Sequence, residues 1–175
     1  MKLFMKHYLF PDEQITSTYA IDFEGYYKKG YRGLIFDIDN TLVPHGHPAD
    51  KRAVKLFRRL GELGFQWVFL SNNKELRVKT FQEKVGGKYI FKAGKPKPGN
   101  YKKAMEWMGT DASTTLFVGD QIFTDVMGAN LAGIQTILVE PIDPKEEIQI
   151  ILKRYPEKLV LFFYRYYRKK LGRRQ

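Results

Sequence analysis

The stretch that decides the fold is GLIFDIDNTLV, residues 33–43. Its first half, GLIFD at 33–37, is a short unbroken apolar run, the pattern of a strand covered on both faces. Asp37 and Asp39 then stand one residue apart, followed by Asn40 and Thr41, before the chain turns apolar again. Carboxylates at i and i+2 of an extended segment point the same way and repel. Two such groups at the tip of a buried strand need a compensating partner.

Working outward, strand and helix patterns alternate. Asp50 is placed to cap a helix in which Ala53, Phe57 and Leu60 recur at helical spacing, closed by Gly61 or Gly64. QWVFLS (66–71) reads as a second strand, 75–84 as a helix broken by Gly86 and Gly87, and YIFKA (89–93) as a third strand. Pro98 opens a helix through about Met108, and TLFVGD (115–120) is a fourth strand. A helix from about Thr124 to Leu131 ends at Gly133, and QTILVE (135–140) is a fifth strand. The alternation predicts an α/β, Rossmann-like three-layer sandwich with a five-stranded parallel sheet. The expected divisions are a lead-in (1–31), a core (32–141) and a C-terminal tail (142–175).

In such sheets ligands bind beyond the carboxyl ends of the strands, where strand order reverses. The polar residues past each tip are Asp37, Asp39 and Thr41; then Ser71, Asn72 and Asn73; then Lys95 and Lys97; then Asp120 and Asp125. Four carboxylates, a hydroxyl and a lysine would converge on one rim. Clustered carboxylates drive one another's pKa values apart, and a hard divalent cation removes that penalty. Mg²⁺ prefers a few carboxylates, several waters and a phosphate oxygen. Ser71 is suited to hydrogen-bond a phosphoryl oxygen and Lys95 to neutralise the remaining charge, while main-chain N–H groups after Asp39 are suited to hold the other oxygens.

The chain has 175 residues, 43% of them apolar and 28% charged, so it can bury a sizeable core. Its net charge of +11 favours an anionic partner such as a phosphorylated ligand, an acidic membrane face or nucleic acid. It has no cysteine, which excludes disulfides and thiolate metal sites. The N-terminal MKLFMKHYLFPDE lacks the apolar core of a signal peptide. The apolar run LVLFFY falls far short of the roughly 20 residues a spanning helix needs. A cytoplasmic protein is expected, peripheral on the inner face of a membrane if it meets one.

The series Asp37-Ile-Asp39-Asn40-Thr41, then Ser71, then Lys95 before Pro96, then Gly119-Asp120 with Asp125, resembles the haloacid-dehalogenase (HAD) superfamily over about residues 32–140. The resemblance implies phosphoryl transfer, with Asp37 as nucleophile forming an aspartyl-phosphate. Asp39 would protonate the leaving oxygen and then activate water. It implies Mg²⁺ held by Asp37, the main-chain carbonyl of Asp39, and Asp120, with Asp125 as a further or water-mediated ligand. Ser71 and Lys95 would stabilise the transferring group, and Asn40, Thr41 and Asn72 would contact substrate phosphate. A second residue like Asp39 separates phosphatases from dehalogenases in that superfamily.

The intervals from Thr41 to Ser71 and from Ser71 to Lys95 are too short for the cap domain many members carry. An open site suits a substrate with a bulky remainder. FDIDNTLV, SNN, KAGKPKP and VGDQIFTDVMGANLAG are similar to the capless IIIA subclass and its YqeG-type group, itself similar to phosphatidylglycerophosphate phosphatases. The implied substrate is phosphatidylglycerophosphate, and the implied product phosphatidylglycerol. Other bulky substrates, a nucleic acid 3′-phosphate or a phosphoprotein, stay open, as does a non-catalytic RNA-binding module. No RNA-recognition pattern is present, and the acidic set argues against nucleic acid as a partner.

In the tail, Pro156 is expected to start a helix, PEKLVLFFYRYYRKKL, stopped by Gly172. Lys158, Arg165, Arg168 and Lys169 fall on one side of its wheel, and Leu159, Val160, Phe163, Tyr166, Tyr167 and Leu171 on the other, with Leu161, Phe162 and Lys170 blurring the division. A basic, aromatic-rich amphipathic helix suits an anionic membrane interface. Packing of its aromatic face on the domain is the competing expectation. His45 and His47, in PHGHP, are expected to be solvated loop residues flanking the site.

Overall fold

The computed structural model of the chain describes residues 5–143 and 148–172, with side chains for 7–143 and 155–170. The strands are β1 (Glu13–Ile15), β2 (Gly33–Phe36), β3 (Gln66–Leu70), β4 (Lys88–Ile90), β5 (Thr115–Gly119) and β6 (Gln135–Val139). They form one sheet in the order β1-β6-β5-β2-β3-β4, and every pairing is parallel. The sheet thus has six strands, one more than expected. The addition, β1, comes from the lead-in and aligns Glu13, Gln14 and Ile15 with Ile137, Leu138 and Val139. Three residues without a clean alternation carry no strand signal of their own; an available sheet edge makes them a strand.

The helices are α1 (Phe23–Lys28), α2 (Lys51–Leu63), α3 (Glu75–Val85), α4 (Gly99–Met108), α5 (Met127–Leu131) and α6 (Ile148–Gly172). α2 follows the sequence reading closely. The Asp50 carboxylate accepts the Ala53 N–H at 2.8 Å, and Gly64 closes the helix in the left-handed region with φ 94°. Its inner stripe is Ala53, Phe57 and Leu60.

Strand alternation divides the core into two layers. On one face Leu34 and Phe36 join Phe57, Leu60, Phe65, Phe69 and Phe81 in an aromatic-rich cluster under α1, α2 and α3. On the other, Ile35, Val68, Leu70 and Phe117 pack against Tyr101, Ala104, Met105 and Met108 of α4 and Ala129 of α5. No domain is inserted between Thr41 and Ser71, which holds α2 and β3, or between Ser71 and Lys95, which holds α3 and β4. The chain runs β2, β3, β4 outward, then returns to place β5 on the opposite side of β2. The order reverses between the tips of β2 and β5, where Asp37 and Asp120 emerge.

A third, smaller cluster mounts α6. Val160 packs with Leu9, Ile122, Val126 and Leu138, and Tyr164 meets Phe10 edge to face at 5.5 Å. α6 begins before Pro156, which lies inside it rather than at its start. Its docked stripe is Glu157, Val160 and Tyr164, with Leu161 and Tyr167 half-buried. The wheel read from sequence is therefore split. Val160 and Tyr167 turn inward, whereas Leu159 (58% exposed), Phe162 (66%) and Tyr166 (64%) face out. The expected placement of Leu171 lies outside the described side chains.

Replacing the buried Phe57 with alanine is expected to cost about 3–5 kcal/mol in denaturant unfolding, while Val54→Ala on the exposed side of the same helix stays within about 0.5 kcal/mol. Equal costs at the two positions would contradict this placement of α2.

Candidate active site

Each site residue sits just beyond a strand tip. Asp37 follows β2, Ser71 follows β3, Lys95 follows the loop after β4, and Asp120 follows β5. Carboxylate oxygens of Asp37, Asp120 and Asp125 lie within 4.8 Å of one another, all buried. Into this group projects Lys95, whose Nζ donates to Asp37 Oδ1 at 2.6 Å and to Asp125 Oδ1 at 2.7 Å. Three carboxylates against one ammonium leave excess negative charge in a space sheltered from water. All three donors are hard oxygen ligands. That chemistry fits a hard divalent cation, which would share the carboxylates with Lys95.

The electrostatics follow from this crowding. Burial is the main reason the Asp37 pKa rises to about 7; Lys95 opposes the rise, and the Asp125 and Asp39 carboxylates add to it. Burial works against the Lys95 ammonium, but Asp125 and Asp37 outweigh it, so its pKa lies above the ordinary lysine value.

The segment after β5 is shaped for the cluster. Residues Ile122–Val126 form a π-helical turn that brings Asp125 back toward Gly119, and its Oδ2 accepts the N–H groups of Asp120 and Gln121 at 3.2 and 3.1 Å. Gly119 is required there: a Cβ at that position would stand 2.5 Å from the Asp125 carboxylate. The Tyr101 hydroxyl braces the turn by donating to Thr124 O at 2.8 Å.

Asp39 faces elsewhere. Its Oδ1 accepts the Gly46 N–H at 2.8 Å and Arg77 Nη2 at 2.8 Å, and its Oδ2 accepts Asn73 Nδ2 at 2.8 Å. It stands beside the cluster with its carboxylate held by the 44–48 loop on one side and by Asn73 and α3 on the other.

The three residues assigned to substrate phosphate all turn to protein partners. The Thr41 hydroxyl donates to Asp120 Oδ1 at 3.1 Å, and its N–H donates to Ile38 O. Asn40, in the left-handed region with φ 62°, gives its N–H to Val43 O and accepts Asp143 N–H on Oδ1 at 3.3 Å. Asn72 Oδ1 accepts the Lys95 main-chain N–H at 2.9 Å. In the SNN run, Asn72 therefore orients Lys95 and Asn73 orients Asp39. Ser71, 3% exposed, accepts the Asn73 N–H on Oγ at 3.2 Å, which leaves its hydroxyl proton available. His45 and His47 are exposed.

Two contributors escaped the sequence reading. Arg77 is two residues into α3, and the first turn of a helix that follows a strand tip faces the rim. Glu157 is buried on α6, and its carboxylate accepts the Ile122 N–H at 2.7 Å, two residues past Asp120. The available signal was a lone glutamate on the stripe shared by Val160 and Tyr164.

The similarity to known proteins agrees with this geometry. Over 158 residues the chain is 34% identical to the "Probable phosphatase YqeG" of Bacillus subtilis, covering 90% of this chain and 92% of that protein. The chain belongs to the YqeG-type phosphatases of the HAD-like hydrolases. It is thus a phosphoric monoester hydrolase by family. The HAD-hydrolase-like family model matches residues 92–141, the part that carries Lys95, Asp120 and Asp125. The chain is 26% identical over 162 residues to phosphatidylglycerophosphate phosphatase 1 (chloroplastic/mitochondrial) of Arabidopsis thaliana, covering 83% of this chain but only 45% of that protein. The cobalt-bound deoxy-D-mannose-octulosonate 8-phosphate phosphatase of Haemophilus influenzae superposes with a TM-score of 0.52 at 14% identity, covering 78% of this chain and 90% of that one, and so shares the fold.

Because the Asp37 pKa is raised on folding, metal-free stability is greatest below about pH 4 as far as this group is concerned, and it falls as pH rises through about 7. Mg²⁺ should therefore raise Tm more at pH 8 than at pH 5, and Asp37→Asn should flatten the metal-free profile between about pH 4 and pH 7. Gly119→Ala should weaken the Mg²⁺-dependent rise in Tm by displacing Asp125. A metal response that is pH-independent and unchanged in Gly119→Ala would count against the three-aspartate site.

Proposed function

We propose that this phosphatase works through an aspartyl-phosphate on Asp37, with Mg²⁺ as its ion and phosphatidylglycerophosphate as its substrate. The observation that carries the mechanism is the buried Asp37 carboxylate, held by Lys95 beside Asp120 and Asp125. Mg²⁺, held by Asp37, Asp120 and the Asp39 carbonyl with Asp125 nearby, would offset the carboxylate charge and draw electron density from the phosphoryl oxygens.

One Asp37 oxygen attacks phosphorus as the bond to the leaving alcohol breaks. Asp39 gives its proton to the departing oxygen. Asp39 then takes a proton from water, whose oxygen attacks the aspartyl-phosphate; the Asp37–phosphorus bond breaks and inorganic phosphate leaves. Lys95 and the Ser71 hydroxyl offset charge on the transferring group. Asn72 and Asn73 keep Lys95 and Asp39 in register with Asp37.

The lipid assignment is supported by three features. The relative from Arabidopsis carries that activity in its name. No inserted domain encloses the rim among the described residues, so a head group still anchored in a bilayer has access. α6 presents an outward face of Tyr155, Leu159, Phe162 and Tyr166, flanked by the exposed Lys158, Arg165 and Lys169. That pattern suits an anionic interface and supports a peripheral position on the inner leaflet. No described helix is long and apolar enough to cross a membrane.

In vesicles containing phosphatidylglycerophosphate, Mg²⁺-dependent phosphate release is expected from the wild type and is expected to be abolished by Asp37→Asn. Asp39→Asn is expected to lower it at least a hundredfold, in line with loss of a general acid. The triple variant Leu159→Glu, Phe162→Glu, Tyr166→Glu should lose vesicle binding and lipid turnover while still hydrolysing soluble esters. These outward positions spare Glu157 and Val160, which a truncation would remove along with the docked face. Equal turnover of soluble esters and lipid by the wild type would refute the lipid substrate and leave the phosphatase standing.

A further inference from the structure

Arg77 is the side chain at this rim that the catalytic scheme leaves without a task. It projects from α3, with Nη2 at 2.8 Å and Nε at 3.3 Å from Asp39 Oδ1. Phe81, one turn further along, lies beneath it, 5.8 Å from ring centroid to guanidinium carbon. Among the described residues, Arg77 and Lys95 are the cations paired with the motif carboxylates; Lys95 is enclosed, whereas the Arg77 side chain keeps 16% of its surface exposed.

A guanidinium has five N–H donors in a planar fork. Asp39 engages Nη2 and Nε, and the other donors meet no protein acceptor among the described residues. Asp39 is the group that faces the departing alcohol in the proposed reaction. The alcohol therefore departs beside the groups that hold Asp39: the 44–48 loop, which donates Gly46 N–H, and the start of α3, which carries Arg77. A partly exposed cation with spare donors stands next to that group.

We propose that Arg77 is a specificity-determining residue that binds a second anionic group on the leaving alcohol. The substrate class is then a phosphomonoester whose alcohol also bears a phosphodiester. This rests on the phosphatase reading above and deepens it: in phosphatidylglycerophosphate the diester lies one glycerol unit from the phosphomonoester. Bidentate pairing of arginine with a phosphate suits that recognition better than a lysine would. The competing role is purely positional, with Arg77 orienting Asp39 for every substrate alike.

Two soluble esters separate these roles: glycerol 3-phosphate, and the deacylated head group in which glycerol phosphate is joined through a phosphodiester to a second glycerol. Arg77→Gln should lower kcat/KM on the diester-bearing ester roughly 10- to 100-fold more than on glycerol 3-phosphate, the range of one charge-assisted hydrogen bond. Arg77→Lys should recover part of that difference. Glycerophosphoglycerol, which has the diester and no monoester, should inhibit the wild type competitively and lose its hold on Arg77→Gln. An equal loss on both esters, with inhibition unchanged, would reduce Arg77 to orienting Asp39. A wild type indifferent to the diester would overturn the proposal whatever the vesicle assay shows. A wild type that prefers the diester-bearing soluble ester but ignores vesicles would sustain Arg77's role and remove the lipid assignment.

Discussion

The contact on which this site depends is the Lys95 ammonium bridging Asp37 and Asp125. Gathering three carboxylates out of water opposes folding, because each loses hydration and repels its neighbours. One buried cation offsets part of that cost and leaves the cluster anionic, ready for a metal ion and an incoming phosphate. Lys95 has to be aimed from the far side of the sheet, past β4, and Asn72 does this by holding its main chain. The lysine is thus the counter-charge that lets the carboxylates gather.

The topology explains why these groups meet. Reversal of strand order between β2 and β5 sets the tips of those strands side by side, so Asp37 and Asp120 become neighbours though far apart in sequence. Asp125 joins them only because Gly119 has no side chain and the π-helical turn directs the chain back on itself. The same rim then divides in two. Asp37, Asp120, Asp125 and Lys95 form a buried anionic cluster, while Asp39, Asn73 and Arg77 form a polar flank beside it.

α6 ties this rim to the outer surface. One stripe is docked through Val160 and Tyr164, and Glu157 on that stripe holds the Ile122 N–H at the start of the turn bearing Asp125. The opposite stripe is aromatic and exposed, with basic residues beside it. The expected packing on the domain holds for one stripe, Val160 and Tyr164, while a different stripe is left outward. A helical wheel merges the two apolar stripes into one, because the helix sequence does not carry the side on which the domain lies.

The sequence by itself determined the alternating parallel architecture, the bounds of α2 to within its caps, and the identity of the residues at the strand tips. Those signals are local: unbroken apolar runs, a capping aspartate, a terminating glycine, carboxylates just past a strand. Tertiary structure alone decided what those residues touch. Asn40, Thr41 and Asn72 are braced against Asp143, Asp120 and Lys95, partners that no local pattern reveals. It also decided that three unremarkable residues, Glu13–Ile15, become an edge strand, and that Arg77 and Glu157 belong to the site. Each of these depends on which surfaces the fold brings within hydrogen-bonding distance, a property of the assembled sheet and its docked helices rather than of any segment.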